Sequence, residues 1–326
     1  MSTWISKSRD PSHRPTLRDF REASERIKGV ALRTPLIPLR RYKEEDTDIL
    51  LKPEVLQPIG SYKIRGVYNW AAQLSPEERR RGISTLSAGN MAQAVGYVAN
   101  LFSVPARVAI LDTAPRYKID ATRRYGAEVD LVSMGNAMAY VDHPPHDYCF
   151  IHPLAEYGLM DGHGTIGIEI VEDAPDVDTI FVPVGAGFLS AGVALAAKAL
   201  KPHVRVIGVQ AENSPHFYVS LKKGEPTHFD FKLTLADGIA GPFTISREAF
   251  ELIRGTLAEV VLVSESEIVK AVRLLALENK LVTEGAGAIS LAAALAMPKE
   301  ERGKSVCILS GGSIDAEKLA HILEEQ

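Results

Sequence analysis

Cysteine is nearly missing from this chain of 326 residues. Its two, Cys149 and Cys307, are too few for a disulfide framework or a zinc site. Both lie in apolar stretches, YCFI and VCIL, as buried unreactive thiols do. No apolar run approaches the length that spans a bilayer. The opening MSTWISKSRDPSHRP has no apolar core of the secretory kind and reads as a loose polar arm over residues 1–15. Charge of one sign is also scarce. The 37 basic and 41 acidic residues leave a net charge of −4, spread without long runs, which argues against nucleic acid as the main partner. There is no internal repeat of fixed period and no low-complexity tract. The histidines include no helical pair at metal-ligand spacing, and His13, His143, His146, His152 and His163 read as loop or surface residues. These absences leave a soluble cytoplasmic protein, with 46% hydrophobic residues and core enough for one large or two ordinary domains.

What is present is an alternation of short apolar runs with helical patterns. Thr16 caps a helix over LRDFREASERIKG, with Gly29 just past its end. TPLIPL and DILLKPE are extended. A helix follows Lys63 to about Leu74, and Ser75-Pro76-Glu77-Glu78 starts another. ISTLS, ARVAIL and AEVDLVS are strands separated by helices, the spacing of a parallel sheet. HPPHDYCFIHP breaks the rhythm and marks a crossover. A second alternation runs through TIFVPV, VRVIGVQAE, AEVVLVS and SVCILS, with a hairpin-like stretch THFDFKLTLADG between. The expectation is an α/β protein of two parallel-sheet, three-layer modules. The smaller, residues 74–151, is inserted in the larger, 1–73 plus 152–326, with the active site in the cleft between them.

Four stretches fall at strand ends or helix starts. GSYKIRG sets Lys63 between Tyr62 and Ile64 just after the turn-forming QPIG. It is either a snorkelling lysine or one held in a cleft to form a Schiff base. SAGNMAQ, from Ser87 to Gln93, opens a helix with cap residues and free amides, an ordinary N-cap or an anion cradle. PVGAGFLSAG offers glycines at a helix start, suited to a phosphate or to close packing. Its spacing departs from the dinucleotide fingerprint, although Glu212 ends the next strand as a ribose-binding acid would. The P-loop is excluded, because no Gly-Lys-Ser/Thr follows. LSGGS places Ser310 at the end of the last strand, either as a turn or against a flat ligand. Asp237-Gly238 and Glu284-Gly285 read as turns or caps rather than chemistry. Together, a lysine for an aldehyde, a glycine loop for a phosphate, a serine for a ring edge and a second anion cradle describe pyridoxal 5′-phosphate beside an amino-acid carboxylate.

Over about Phe20 to the end, with three motifs in family order, the chain resembles the serine/threonine dehydratase family of fold type II (tryptophan synthase β-like) pyridoxal-phosphate enzymes. The resemblance implies that Lys63 carries the cofactor and serves as the catalytic base. It implies that Gly185, Ala186, Gly187, Phe188 and Leu189 hold the phosphate, that Ser310 faces the ring nitrogen and that Asn90 bonds the phenolic oxygen. Ser87, Ala88, Gly89, Asn90 and Met91 would hold the substrate carboxylate. Several positions depart from the family pattern. Tyr62 stands where Phe is usual, Met91 where His is usual and Ser313 where Asn is common. Phe188 interrupts a glycine run, where it either crowds the loop or needs a compensating pocket. The stretch from Ser133 to Phe150 is short where relatives carry another helix.

The implied reaction is β-elimination of a β-hydroxy amino acid, such as L-threonine or L-serine, to a 2-oxo acid and ammonia. Related racemases place a serine at the position of Ala88, so two-base racemisation lacks its second acid here. The alternatives are 3-hydroxyaspartate dehydration, β-replacement, racemisation or a non-catalytic relative. The resemblance also implies a homo-oligomer and, with Glu212 as one ligand, a cation near the phosphate loop.

Overall fold

The computed structural model describes residues 4–41, 44–241 and 244–324. The apolar runs read as strands become β1 (Ile37–Arg41), β2 (Glu44–Pro53), β3 (Ile83–Leu86), β4 (Ala106–Leu111), β5 (Glu128–Val132) and β6 (Cys149–Ile151). They continue as β7 (Thr179–Pro183), β8 (Arg205–Ala211), β9 (Glu259–Val263) and β10 (Ser305–Leu309). They form a sheet of order β1-β2-β10-β7-β8-β9 and a smaller one of order β5-β4-β3-β6. Every pairing is parallel except β1 with β2, which run antiparallel, so the larger sheet is mixed at one edge rather than wholly parallel. The small sheet takes all its strands from between β2 and β7, which makes it an insertion.

Burial explains the order. Central strands β7 and β10 are buried along their whole length, as strands covered on both faces must be. Along β10, Val306 and Ile308 join the core beneath the helices Leu159–Asp173 and Phe188–Leu200. Cys307 and Leu309 point the other way, toward the helices Glu265–Leu277 and Gly285–Ala296. Both cysteines are buried, and neither forms a disulfide among the described residues. The first two of these helices pack closely through small residues: a Cβ at Gly192 would stand 2.7 Å from Met160 O. Capping follows the sequence. Ser75 and Glu78 form a reciprocal box at the start of Pro76–Arg80, and Thr16 and Asp19 do so at Leu17–Ile27. Among the described residues, no helix is long and apolar enough to cross a membrane.

Three expectations are corrected. The stretch 227–238 forms no hairpin; only a short turn of 3-10 helix, Asp237–Ile239, appears there. The alternation in HFDFKLTL mimics a strand, but its backbone is taken up elsewhere. Lys232 N donates to Asn213 O, Asn213 Nδ2 to Leu233 O, and Leu235 N to Glu265 Oε2. The stretch 133–150 does carry a helix, Met134–Asp142, before β6 joins the small sheet. The polar N-terminus is not a loose arm from Trp4 on. Trp4–Ser8 is helical, Ser8 is buried, and Gly158 N donates to Ser8 O at 2.8 Å.

Candidate active site

The turn at residues 57–60 ends at Gly60, whose φ of 70° suits glycine alone, and the helix Lys63–Ala72 starts three residues on. Backbone bonds hold this turn to the loop after β10: Tyr62 N donates to Ser310 O at 3.1 Å and Gly312 N to Gly60 O at 2.9 Å. Lys63 therefore leaves the helix start directly beside Ser310. Its Nζ lies 4.8 Å from the centre of the Tyr62 ring, and among the described residues it forms no ion pair.

The next basic residue is held quite differently. Arg65 is fully buried, its guanidinium bonded to Glu54 at 2.7 and 2.8 Å and to Glu169 at 2.6 and 3.0 Å. Lys52 Nζ also reaches Glu169 Oε2, at 2.6 Å. Two acids and two bases cancel, as a buried cluster requires. Burial pushes Glu169 up, yet Arg65 and Lys52 hold it below its usual range, while burial lowers Lys52. This cluster fixes the helix and leaves Lys63 as its uncommitted amine.

His163, expected at the surface, is instead buried in the helix Leu159–Asp173, its ring edge-on to Tyr62 at 4.8 Å. Burial, then the charges of Lys63 and Arg65, hold it well below its ordinary pKa, so the imidazole is neutral. A Cβ on Gly66 would collide with this ring, so the helix bearing Lys63 needs glycine there.

The twelve residues named from the sequence for cofactor and substrate line one cavity of about 300 Å³: Lys63, Ser87 through Met91, Gly185 through Leu189, and Ser310. Two features make it receptive to anions. Around residues 185–189 the carbonyl side is occupied. Gly185 O lies 3.1 Å from His216 Nε2, and Gly187 O accepts from Ser190 Oγ and Ala191 N. The five amides have no partner among the described residues, and they open the helix Phe188–Leu200. Phe188 finds the pocket it needs, buried edge-on against Tyr157 with centroids 5.2 Å apart. In the second cradle, after β3, the amides of Ala88, Asn90 and Met91 likewise have no partner among the described residues.

Asn90 is fixed at both ends of its amide. Nδ2 donates to Glu284 Oε1 at 2.7 Å, and Oδ1 accepts from Ser313 Oγ at 2.6 Å. Gln93 Nε2 donates in turn to Ser313 Oγ. Glu284 reads as a turn residue in the sequence, but it is only 7% exposed and lines the cavity. Burial, then Asp237, push its carboxyl up to about 7. Asp237 lines the cavity too, and receives Lys118 Nζ at 3.1 Å from the helix Arg116–Arg124 of the inserted unit. Burial works against the Lys118 charge, but Asp237 holds its pKa above the ordinary value. The acid–glycine pairs at 237–238 and 284–285 are the visible signal for both acids. Glu212 is exposed and lies outside the cavity lining, and no cluster of three or more metal-ligating side chains occurs among the described residues.

Known proteins resemble this chain along most of its length. The profile of a family described as pyridoxal-phosphate dependent enzyme matches residues 27–311. An L-threonine ammonia-lyase of Thermotoga maritima is 42% identical over 320 residues, covering 95% of this chain and 78% of that protein. The processed form of threonine deaminase isoform 2 from Solanum lycopersicum superposes with a TM-score of 0.84 at 30% identity, covering 95% of this chain and 90% of that one. Maize serine racemase superposes with a TM-score of 0.85 at 29% identity, covering 95% and 97%. The match spans both sheets and every motif of the cavity: this chain belongs to the pyridoxal-phosphate dependent enzyme family.

Proposed function

We propose that this enzyme catalyses the β-elimination of a β-hydroxy amino acid, with L-threonine and L-serine as the leading substrates, giving a 2-oxo acid and ammonia. The observation that carries this reading is the convergence of Lys63, both amide cradles and Ser310 on one cavity. Those groups fit pyridoxal 5′-phosphate: unpartnered amides at a helix start for the phosphate, an uncommitted amine for the aldehyde, and a neutral hydroxyl for the ring edge. When bound, the cofactor supplies a conjugated system that accepts electron density from the substrate's α-carbon.

The residues of the chain do the rest. Lys63 would hold the cofactor through its amine, and that amine would take the substrate's α-proton as general base. Ser87, Asn90 and the amides from Ala88 to Met91 grip the substrate carboxylate. Asn90 is held ready by Glu284 and Ser313, so no rotamer freedom is lost on binding. Ser310, whose hydroxyl donates to Ala286 O at 3.2 Å, brings no carboxylate to keep a ring nitrogen protonated. Beside a hydroxyl the cofactor would be a weaker electron sink, which would favour loss of the β-hydroxyl. In balance, the α-proton and the β-hydroxyl leave as water, and the released enamine hydrolyses to the 2-oxo acid and ammonia. Ala88 has no hydroxyl to return a proton, so racemisation is not the reaction proposed.

We infer further that the functional domains divide at 73/74 and 151/152, that the enzyme is cytoplasmic, and that it is a homo-oligomer. Light scattering after size-exclusion chromatography measures the oligomeric state. The test of function is direct. The purified enzyme shows a visible absorbance band that Lys63→Ala loses, and 2-oxo acid is assayed with L-threonine, L-serine and threo-3-hydroxyaspartate. No product from any of the three sinks the reading.

A further inference from the structure

A buried carboxylate stands where the inserted unit hands the chain back to the larger one. Glu156 lies between β6 and the helix Leu159–Asp173 and is fully buried. Four donors from three separate parts of the chain reach it. Ser8 Oγ and Arg9 Nε, the latter at 3.2 Å, come from the N-terminal segment. Trp70 Nε1, at 2.9 Å, comes from the helix that begins with Lys63. The amide of His152, at 3.2 Å, comes from its own loop. The N-terminal segment is pinned along its length: Arg9 Nη2 donates to Phe150 O at 2.5 Å, and His13 Nε2 pairs with Asp161 Oδ1 at 2.6 Å.

Glu156 does not line the cavity, and the elimination has no use for it. Its neighbours in sequence do line it: Pro153 and Leu154 on one side and Leu159 on the other. Trp70 lies seven residues beyond Lys63 on the same helix, about two turns or 10 Å along the axis. One carboxylate thus ties the lysine's helix, the N-terminal strap and the apolar cavity wall to a single point. A buried acid is kept at an energetic cost, and a fully satisfied one specifies one arrangement of the groups around it.

We propose that Glu156 is a positioning residue: with the strap of residues 4–13, it fixes the wall formed by Pro153 and Leu154 relative to the helix of Lys63 and so sets which β-substituent the cavity accepts. The specificity half rests on the elimination reading; the positioning half does not.

The test uses the holoenzyme and two readouts. Glu156→Gln keeps the side-chain volume but replaces one acceptor oxygen with an amide that faces donors. Ser8→Ala leaves the acid intact and removes one of its four donors, together with the contacts of Ser8 Oγ to Ile5 O and Trp70 Nε1. By hydrogen exchange, residues 150–159 should exchange about tenfold faster in Glu156→Gln, with a smaller rise in Ser8→Ala and no change in the helices 90–101 and 188–200. The ratio of kcat/KM for L-threonine over L-serine should shift by roughly threefold or more while the cofactor band is retained. Unchanged exchange at 150–159, or a uniform rise across the chain, overturns the positioning. An unchanged ratio with faster exchange overturns the specificity. Should Glu156→Gln not fold, Ser8→Ala decides both. A wild type that makes no 2-oxo acid refutes the reaction instead, and the exchange data still decide the strap.

Discussion

Replacing Glu284 by glutamine tests the electrostatics of the cavity with one atom changed. The substituted side chain would keep an oxygen for Asn90 Nδ2, so the 2.7 Å bond survives and the charge alone is removed. In the folded chain the carboxyl titrates at about 7 rather than at 4.5, because it is buried and faces Asp237. Below 4.5 it is protonated in both folded and unfolded chains and costs nothing. Between 4.5 and 7 the folded chain binds one proton more than the unfolded, so stability falls as pH rises. Above about 7 the whole penalty is present. A shift of this size corresponds to about 3 kcal/mol, at about 1.4 per pH unit. Glu284→Gln escapes it, so its advantage over wild type grows by about 3 kcal/mol across that window, or roughly 5 °C in Tm for a chain of this length. Thermal unfolding of the cofactor-free proteins between about pH 4 and pH 8 measures the difference. Two curves that stay parallel refute the reasoning, since only a titrating Glu284 makes them diverge.

Two further outcomes are expected. Arg65→Ala strands Glu54 and Glu169 with Lys52 as their one buried cation, and should cost about 3–5 kcal/mol in urea unfolding. Phe188→Ala empties the pocket against Tyr157 and should cost about 3–5 kcal/mol. It should also weaken cofactor retention, measured by equilibrium dialysis, because the helix start loses its anchor.

Much of this site is legible in the sequence because its parts are local. A lysine after a glycine turn, cap residues after ISTL and glycines after TIFVPV each carry their own backbone logic. Strand alternation and the caps at Thr16 and Ser75 are legible for the same reason. What escapes depends on partners distant in sequence. The N-terminal arm looks polar because its polar groups meet Glu156 and Asp161, about 148 residues away. His163 looks like a surface residue because a neutral, buried imidazole carries no local mark. The stretch 227–238 alternates like a strand, but Asn213 and Glu265 claim the bonds that a neighbouring strand would need. Asp237 and Glu284 look like turn acids until the inserted unit brings Lys118 and Asn90 over them.

The backbone bonds between residues 60–62 and 310–312 impose an order of events on biosynthesis. The lysine emerges from the ribosome early, but the strand that anchors its turn, Ser305–Leu309, lies far downstream. A nascent polypeptide can build the inserted sheet while its reactive amine still lacks half of its seat. The seat of that amine is therefore complete only once residues 310–312 have been made.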